Sequence, residues 1–187
     1  ARQNIHLYNP DIIVAVGSAA LHFTRYYFSQ LPVVYSMVLN PYAESASDDG
    51  CCLGISMSVS VEEKLKVLKH IKNGITTIGT VFDPDETHVQ VQEARNSANR
   101  YGYDFVPVSS PKEVIPAIDD VMSRADVYML FFDRTVLSMQ SLEHLFTCSF
   151  RRSVPVIGLS EKYVQRGALF SLDYDVAMLG KETWRYT

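Results

Sequence analysis

From residue 60 onward, short apolar runs alternate with longer stretches whose apolar positions recur every three or four residues. That alternation predicts βα units around a parallel sheet. Ser60-Val61-Glu62-Glu63 reads as a capping box, in which Ser60 accepts from the backbone and Glu63 reaches back. The helix it opens carries Val61, Leu65 and Leu68, widened by Val67 and Ile71, and stops before Asn73-Gly74. Ile75 to Phe82 is the next strand, Asp83-Pro84-Asp85 a turn, Glu86 to Tyr101 a helix closed by Gly102, and Tyr103 to Val108 a strand. Ser110-Pro111-Lys112-Glu113 resembles a helix start with Pro at its first position, and Pro116 predicts a late start or a kink. Asp126 to Phe132 is a strongly apolar strand, followed by a helix from about Thr135 to Phe150 and a strand at Val154 to Gly158. A short helix, Ser160 to Arg166, ends at Gly167, and Ala168 to Leu172 is one more strand before a final helix around Val176 to Arg185.

Upstream, Ile12 to Val16 is a strand feeding a helix at Ser18 to Phe28, and Pro32 to Val38 is a second strand. These make only part of a lobe. A doubly wound lobe usually needs about four to six strands, so roughly two βα units are expected before residue 1. Tyr42 to Gly50, rich in Ser, Ala, Asp and Gly, suits a surface loop at a lobe boundary, with Leu53 to Ser56 as a crossing segment.

Hydrophobic residues at 47% and charged ones at 20% place the chain among ordinary globular proteins, so it should fold. A net charge of -4, with Arg151-Arg152 the only tight basic pair, argues against a nucleic-acid partner. No apolar run is long enough for a membrane span, and no signal peptide opens the chain, although a signal or lipid anchor could lie upstream. Cys51, Cys52 and Cys148 do not have the spacing of a disulfide framework or a zinc site. His6, His22, His70, His88 and His144 show no metal spacing among them, so neither metal nor cofactor is expected. Without a Gly-Xaa-Ser-Xaa-Gly, a Gly-rich phosphate loop or a close carboxylate pair, no enzymatic reaction is expected either.

The segments AVGSAALHF, LPVVYSMVLNP, GISMSVSVEEKLKVLKHI, TTIGTVFDPDE, DVYMLFFDRTV, VPVIGLSEKYVQRGAL and DYDVAMLG follow one another from residue 11 to about 182. In order and spacing they resemble the ABC transporter substrate-binding family of the tryptophan/tyrosine type. The resemblance implies the type I periplasmic-binding-protein fold: α/β, two Rossmann-like lobes with parallel sheets joined by three crossings, with a ligand in the cleft between them. It implies that residues 1–56 are a partial first lobe completed by 173–187, that 57–172 are the second lobe, and that closure hinges near 54–57 and 171–174. The implied partners are a small solute, an amino acid or related carboxylate, and the membrane permease of an ABC importer. The implied location is periplasmic or otherwise extracytoplasmic, with lipid anchoring open.

Ligands of open α/β sheets bind beyond the carboxyl ends of the strands, where helix amino termini favour anions. Ser18, between a strand and a helix, could receive a carboxylate or only cap its helix. Asp133-Arg134-Thr135 stands where the family usually shows Asp-Asn-Thr, so Asp133 either pairs with a ligand ammonium or N-caps its helix. Arg134 is a departure that fills the cleft or demands a more acidic ligand. Glu86-Thr87-His88 departs from Glu-Xaa-Asn-Ser, and Asn40 stands where Asp is commoner before Pro. Tyr35, Ser160 and Glu161 are further cleft candidates by position, Tyr35 equally suited to the core. Three other functions stay open: a ligand-sensing regulatory domain of the same architecture, an enzyme on a flavodoxin-like lobe, and a receptor-like domain that has lost its small ligand and binds protein.

Overall fold

The computed structural model describes residues 8–39, 41, 52–71, 73–110 and 112–185. Two compact units result, Ala1–Ser58 with Tyr174–Thr187, and Val59–Asp173. In chain order the elements are β1 (Ile13–Val16), α1 (Ser18–Tyr27), β2 (Val33–Val38), β3 (Cys52–Ser56), α2 (Val61–Ile71), β4 (Thr77–Phe82) and α3 (Pro84–Tyr101). They continue with β5 (Asp104–Ser109), α4 (Val114–Arg124), β6 (Val127–Met129), α5 (Met139–Arg152), β7 (Val156–Ile157), α6 (Glu161–Val164) and α7 (Val176–Trp184).

In the first unit β1, β2 and β3 form a parallel sheet in that order. The crossing segment expected at Leu53 to Ser56 is therefore a paired strand, with Gly54 opposite Tyr35. Pairing slips between Tyr35 and Val38, where Met37 adopts a left-handed φ of 56°. Ala15, Leu21, Val33 and Val38 form the small core, whereas Val14 and Val16 stay 47% and 58% exposed. Helix α7 lies against β2 and β3. Asp175 caps it by accepting from the Ala177 N–H at 2.8 Å, and the buried Thr183 hydroxyl sits 2.7 Å from Ser36 Oγ.

The second unit has a parallel sheet in the order β5-β4-β6-β7. Side chains alternate along β6 and so feed two cores. Val127 and Met129 join Leu65, Leu68, Val91 and Ala94 under α2 and α3. Tyr128 and Leu130 join Ile118, Val121, Leu142 and Leu145 under α4 and α5. Because β5 lies to one side of β4 while β6 and β7 lie to the other, the winding reverses between β4 and β6.

Several boundaries differ from expectation for local reasons. Helix α3 begins at Pro84, because Asp83 accepts from the Asp85 N–H at 3.0 Å and Pro suits the first helical position, and it ends at Gly102 with φ 78°. Helix α4 starts late, after Glu113, so Pro116 falls in the first turn, where an N–H has no intrahelical acceptor. Helix α5 starts at Met139 rather than about Thr135. Ser138 and Ser141 exchange side-chain-to-backbone bonds at 3.1 Å each, a capping box with Ser in place of Glu. Strand β6 has only three residues, and Ala168 to Leu172 contributes a single bridge, Phe170 to Ile157, instead of a strand.

Gly79 in β4 lets α4 approach the sheet closely. A Cβ there would lie 2.8 Å from Ala125 Cβ and collide with the Val121 side chain. Gly79→Ala is expected to destabilise this unit by about 1–2 kcal/mol, the scale of overpacking, read as a lower urea midpoint at unchanged slope.

Candidate functional site

In a doubly wound sheet the loops that follow the two strands at the reversal leave toward opposite faces, so a crevice opens between them. Here those loops are Asp83–Thr87 after β4 and Leu130–Ser138 after β6. Hydrogen bonds from their polar residues join the two segments to each other.

Asp133 is the centre of that junction. One carboxylate oxygen accepts from the Asp83 N–H at 2.7 Å and the Thr87 hydroxyl at 2.9 Å, and the other accepts from the Thr135 and Val136 N–H groups at 3.0 Å each. Asp83 answers across the same gap, accepting from the Thr135 hydroxyl at 2.7 Å. Asp133, Thr87 and Asp83 are all buried. Thr87 leaves helical geometry, with φ −136° and ψ 18°, within α3, where its hydroxyl meets Asp133. Residues 83 and 133, fifty apart in sequence, thus come into contact through the Asp83 N–H and the Asp133 carboxylate, which spacing alone did not reveal. Each carboxylate accepts from the other segment as well as its own, so together they brace the junction.

Arg134 and Glu86 lie above this brace. The guanidinium donates twice to the Glu86 carboxylate, at 2.9 Å through Nε and 2.9 Å through the terminal nitrogen. Arg134 is 62% exposed at its side chain and Glu86 19%. The long cation that replaces a short amide is therefore met by a carboxylate of the same unit.

The remaining candidates are separate. Ser160 precedes α6 without making a side-chain cap, and the Glu161 N–H donates to Asp173 at 3.1 Å. Tyr35 is half-buried on the first unit's core, its ring resting where a Gly54 side chain would be. Ser18 is the first residue of α1, not its cap. That place belongs to Gly17, which has φ 85° and offers no side chain, so the capping role read for Ser18 is replaced by an uncapped helix start at the end of β1. Asn40 lies outside the described residues. The brace partner Asp83 was read only as a turn residue; its N-cap position before Pro84 was the available signal.

Two α/β units, each built on a parallel sheet, define a Rossmann-like architecture. The chain belongs to the ABC transporter substrate binding protein family, whose sequence profile matches residues 1–187. Among solved structures, a conserved domain protein from Vibrio cholerae is 25% identical with a TM-score of 0.69, matching 99% of this chain and 65% of its own. A domain from Streptococcus pneumonia in complex with L-Trp is 18% identical with a TM-score of 0.70, over the same shares. A ligand-free, open substrate binding protein with adhesive properties from Clostridium difficile is 21% identical with a TM-score of 0.61, matching 83% of this chain and 55% of its own. The chain spans 65% of the length of the first two. No curated protein sequence matches it.

Proposed function

We propose that the protein is the extracytoplasmic solute receptor of an ABC importer and that it binds a small carboxylate-bearing solute, an amino acid or a close relative, which it delivers to a membrane permease. The family match carries the receptor role. The structural neighbour in complex with L-Trp supports the amino-acid class. No helix among the described residues is long and apolar enough to cross a membrane, so any membrane partner would be a separate chain or segment. In this reading Ser18 and the start of α1, whose cap position is Gly17, receive the carboxylate, because helix-terminal N–H groups and the helix dipole favour an anion. Arg134 and Glu86 form the polar lip of the second unit's site, with Thr135 beside them, and Ser160 and Glu161 are further contacts at the strand ends of the same unit. Asp133 and Thr87 act as positioning residues beneath them.

Calorimetry of the natural full-length protein across amino acids, small peptides and carboxylates is the test. Binding tighter than a dissociation constant of about 1 mM, roughly 4 kcal/mol, supports the receptor reading. Absence of binding across that panel sinks it. Arg134→Asn separates lip from scaffold. The exposed pair contributes no more than about 1 kcal/mol to stability, so the unfolding midpoint should hardly move while solute affinity changes by about tenfold or more. An unchanged affinity removes Arg134 from the site.

A further inference from the structure

On the outer helical layer of the second unit, away from the strand ends, three metal-ligating side chains converge. His144 and Cys148 are one turn apart on α5, and Asp119 faces them from α4. His144 Nε2 lies 3.0 Å from Asp119 Oδ1, Cys148 Sγ lies 3.3 Å from the same oxygen, and Sγ and Nε2 are 3.4 Å apart. We propose that Asp119, His144 and Cys148 form a binding site for a late first-row divalent cation, zinc foremost.

The three distances carry the argument. With zinc–sulfur bonds of about 2.3 Å and zinc–nitrogen and zinc–oxygen bonds of about 2.0 Å, tetrahedral coordination places neighbouring ligand atoms roughly 3.3 to 3.6 Å apart. The observed triangle is smaller by only a few tenths of an ångström, so small side-chain rotations open it around a cation. The arrangement is not that of a catalytic triad, where the two ring nitrogens of His face different partners. Here the single atom Nε2 faces both the sulfur and the carboxylate, so all three ligands aim at one point.

The charges balance. Exchange of the thiol proton for a divalent cation yields a neutral site: thiolate and carboxylate supply two negative charges and imidazole none. Such a site also tolerates the nearby Arg151 and Arg152, whose charges favour the thiolate. The thiolate and imidazole favour zinc over magnesium or calcium. Cys148 is buried whereas Asp119 and His144 keep 45% and 30% of their side chains exposed, which leaves a fourth position for water. Spacing along the chain gave no sign of the cluster, whose third ligand comes from a different helix.

The test is titration of the reduced full chain with Co2+, followed by displacement with Zn2+. A thiolate-to-cobalt charge-transfer band with one equivalent bound, visible bands of tetrahedral intensity, and loss of both on adding zinc are expected. Cys148→Ser should abolish the charge-transfer band, and His144→Ala and Asp119→Asn should each weaken zinc binding about tenfold or more. Replacing Cys51 and Cys52 by Ser together should change nothing. A missing band, a band that survives in Cys148→Ser, or one lost with Cys51 and Cys52 overturns the site. If Cys148→Ser fails to fold by circular dichroism, the half-exposed His144 and Asp119 variants decide it, and unchanged zinc affinity in both overturns it equally.

Discussion

Asp133→Ala is expected to lower the unfolding free energy of the second unit by about 3 to 5 kcal/mol, the upper range for a point substitution. Three backbone N–H groups and one hydroxyl end on this carboxylate, and Asp133 is 1% exposed. Leaving a buried donor unsatisfied costs about 1–3 kcal/mol. Four such losses would exceed the expected total, but water entering the vacated space would satisfy some of them. Asp133→Asn keeps the shape but turns an NH2 group toward donors, so it should recover only part of the loss. Urea unfolding monitored by circular dichroism, with the slope unchanged, is the measurement. A cost below about 1 kcal/mol in Asp133→Ala, with solute binding lost in Asp133→Asn, would return Asp133 to direct ligand contact and remove it from the brace.

The same residue shows what could be read from the sequence and what could not. The strands of the second unit were legible because β6 is a continuously apolar run and β4 a largely apolar one, each between polar turns, and Gly102 and Gly167 mark real stops with positive φ. Ends of elements were less legible wherever a side chain from elsewhere in the fold decides them. Thr87 is non-helical where it bonds Asp133, forty-six residues away. A short polar residue at a helix start is ambiguous locally, because capping and ligand binding use the same atoms. Gly17, not Ser18, proved to be the cap position of α1. Arg134 looked like an uncompensated cation because its partner, Glu86, is forty-eight residues earlier. Of the three departures from the family pattern, Arg134 and Glu86-Thr87-His88 fell in different segments, and the fold joins them through Arg134 and Glu86. Asp119 was hidden likewise: histidines compared only with one another show no metal spacing, while a ligand set drawn from two packed helices has none to show.

Lys64→Met is expected to stabilise the second unit by about 2 to 3 kcal/mol at pH 7, the reverse of the usual sign for a core substitution. Lys64 lies on α2 beside Leu65 and Leu68 and is 6% exposed. Burial lowers its pKa from 10.5 to about 8. A shift of that size corresponds to about 3 kcal/mol between the two protonation states, and any outward reach of the ammonium along its flexible stem reduces it. The direction with pH follows from proton counts. Below about pH 8 folded and unfolded chains both carry the proton, and the folded state bears the full cost of burying the charge. Between about 8 and 10.5 the unfolded chain holds the proton that the folded chain has released, so wild-type stability rises with pH through that window. Above it Lys64 is neutral in both states and the penalty is gone. Met matches the length of the stem without the charge. The stability difference between Lys64→Met and wild type should therefore be constant near neutrality and shrink from about pH 8 to pH 10.5, and taking that difference cancels the titration of every tyrosine and cysteine common to both chains. Parallel urea titrations at pH 6, 7, 8, 9 and 10 measure it. A difference that stays flat across the series would show that Lys64 keeps its ordinary proton affinity, with its ammonium in water.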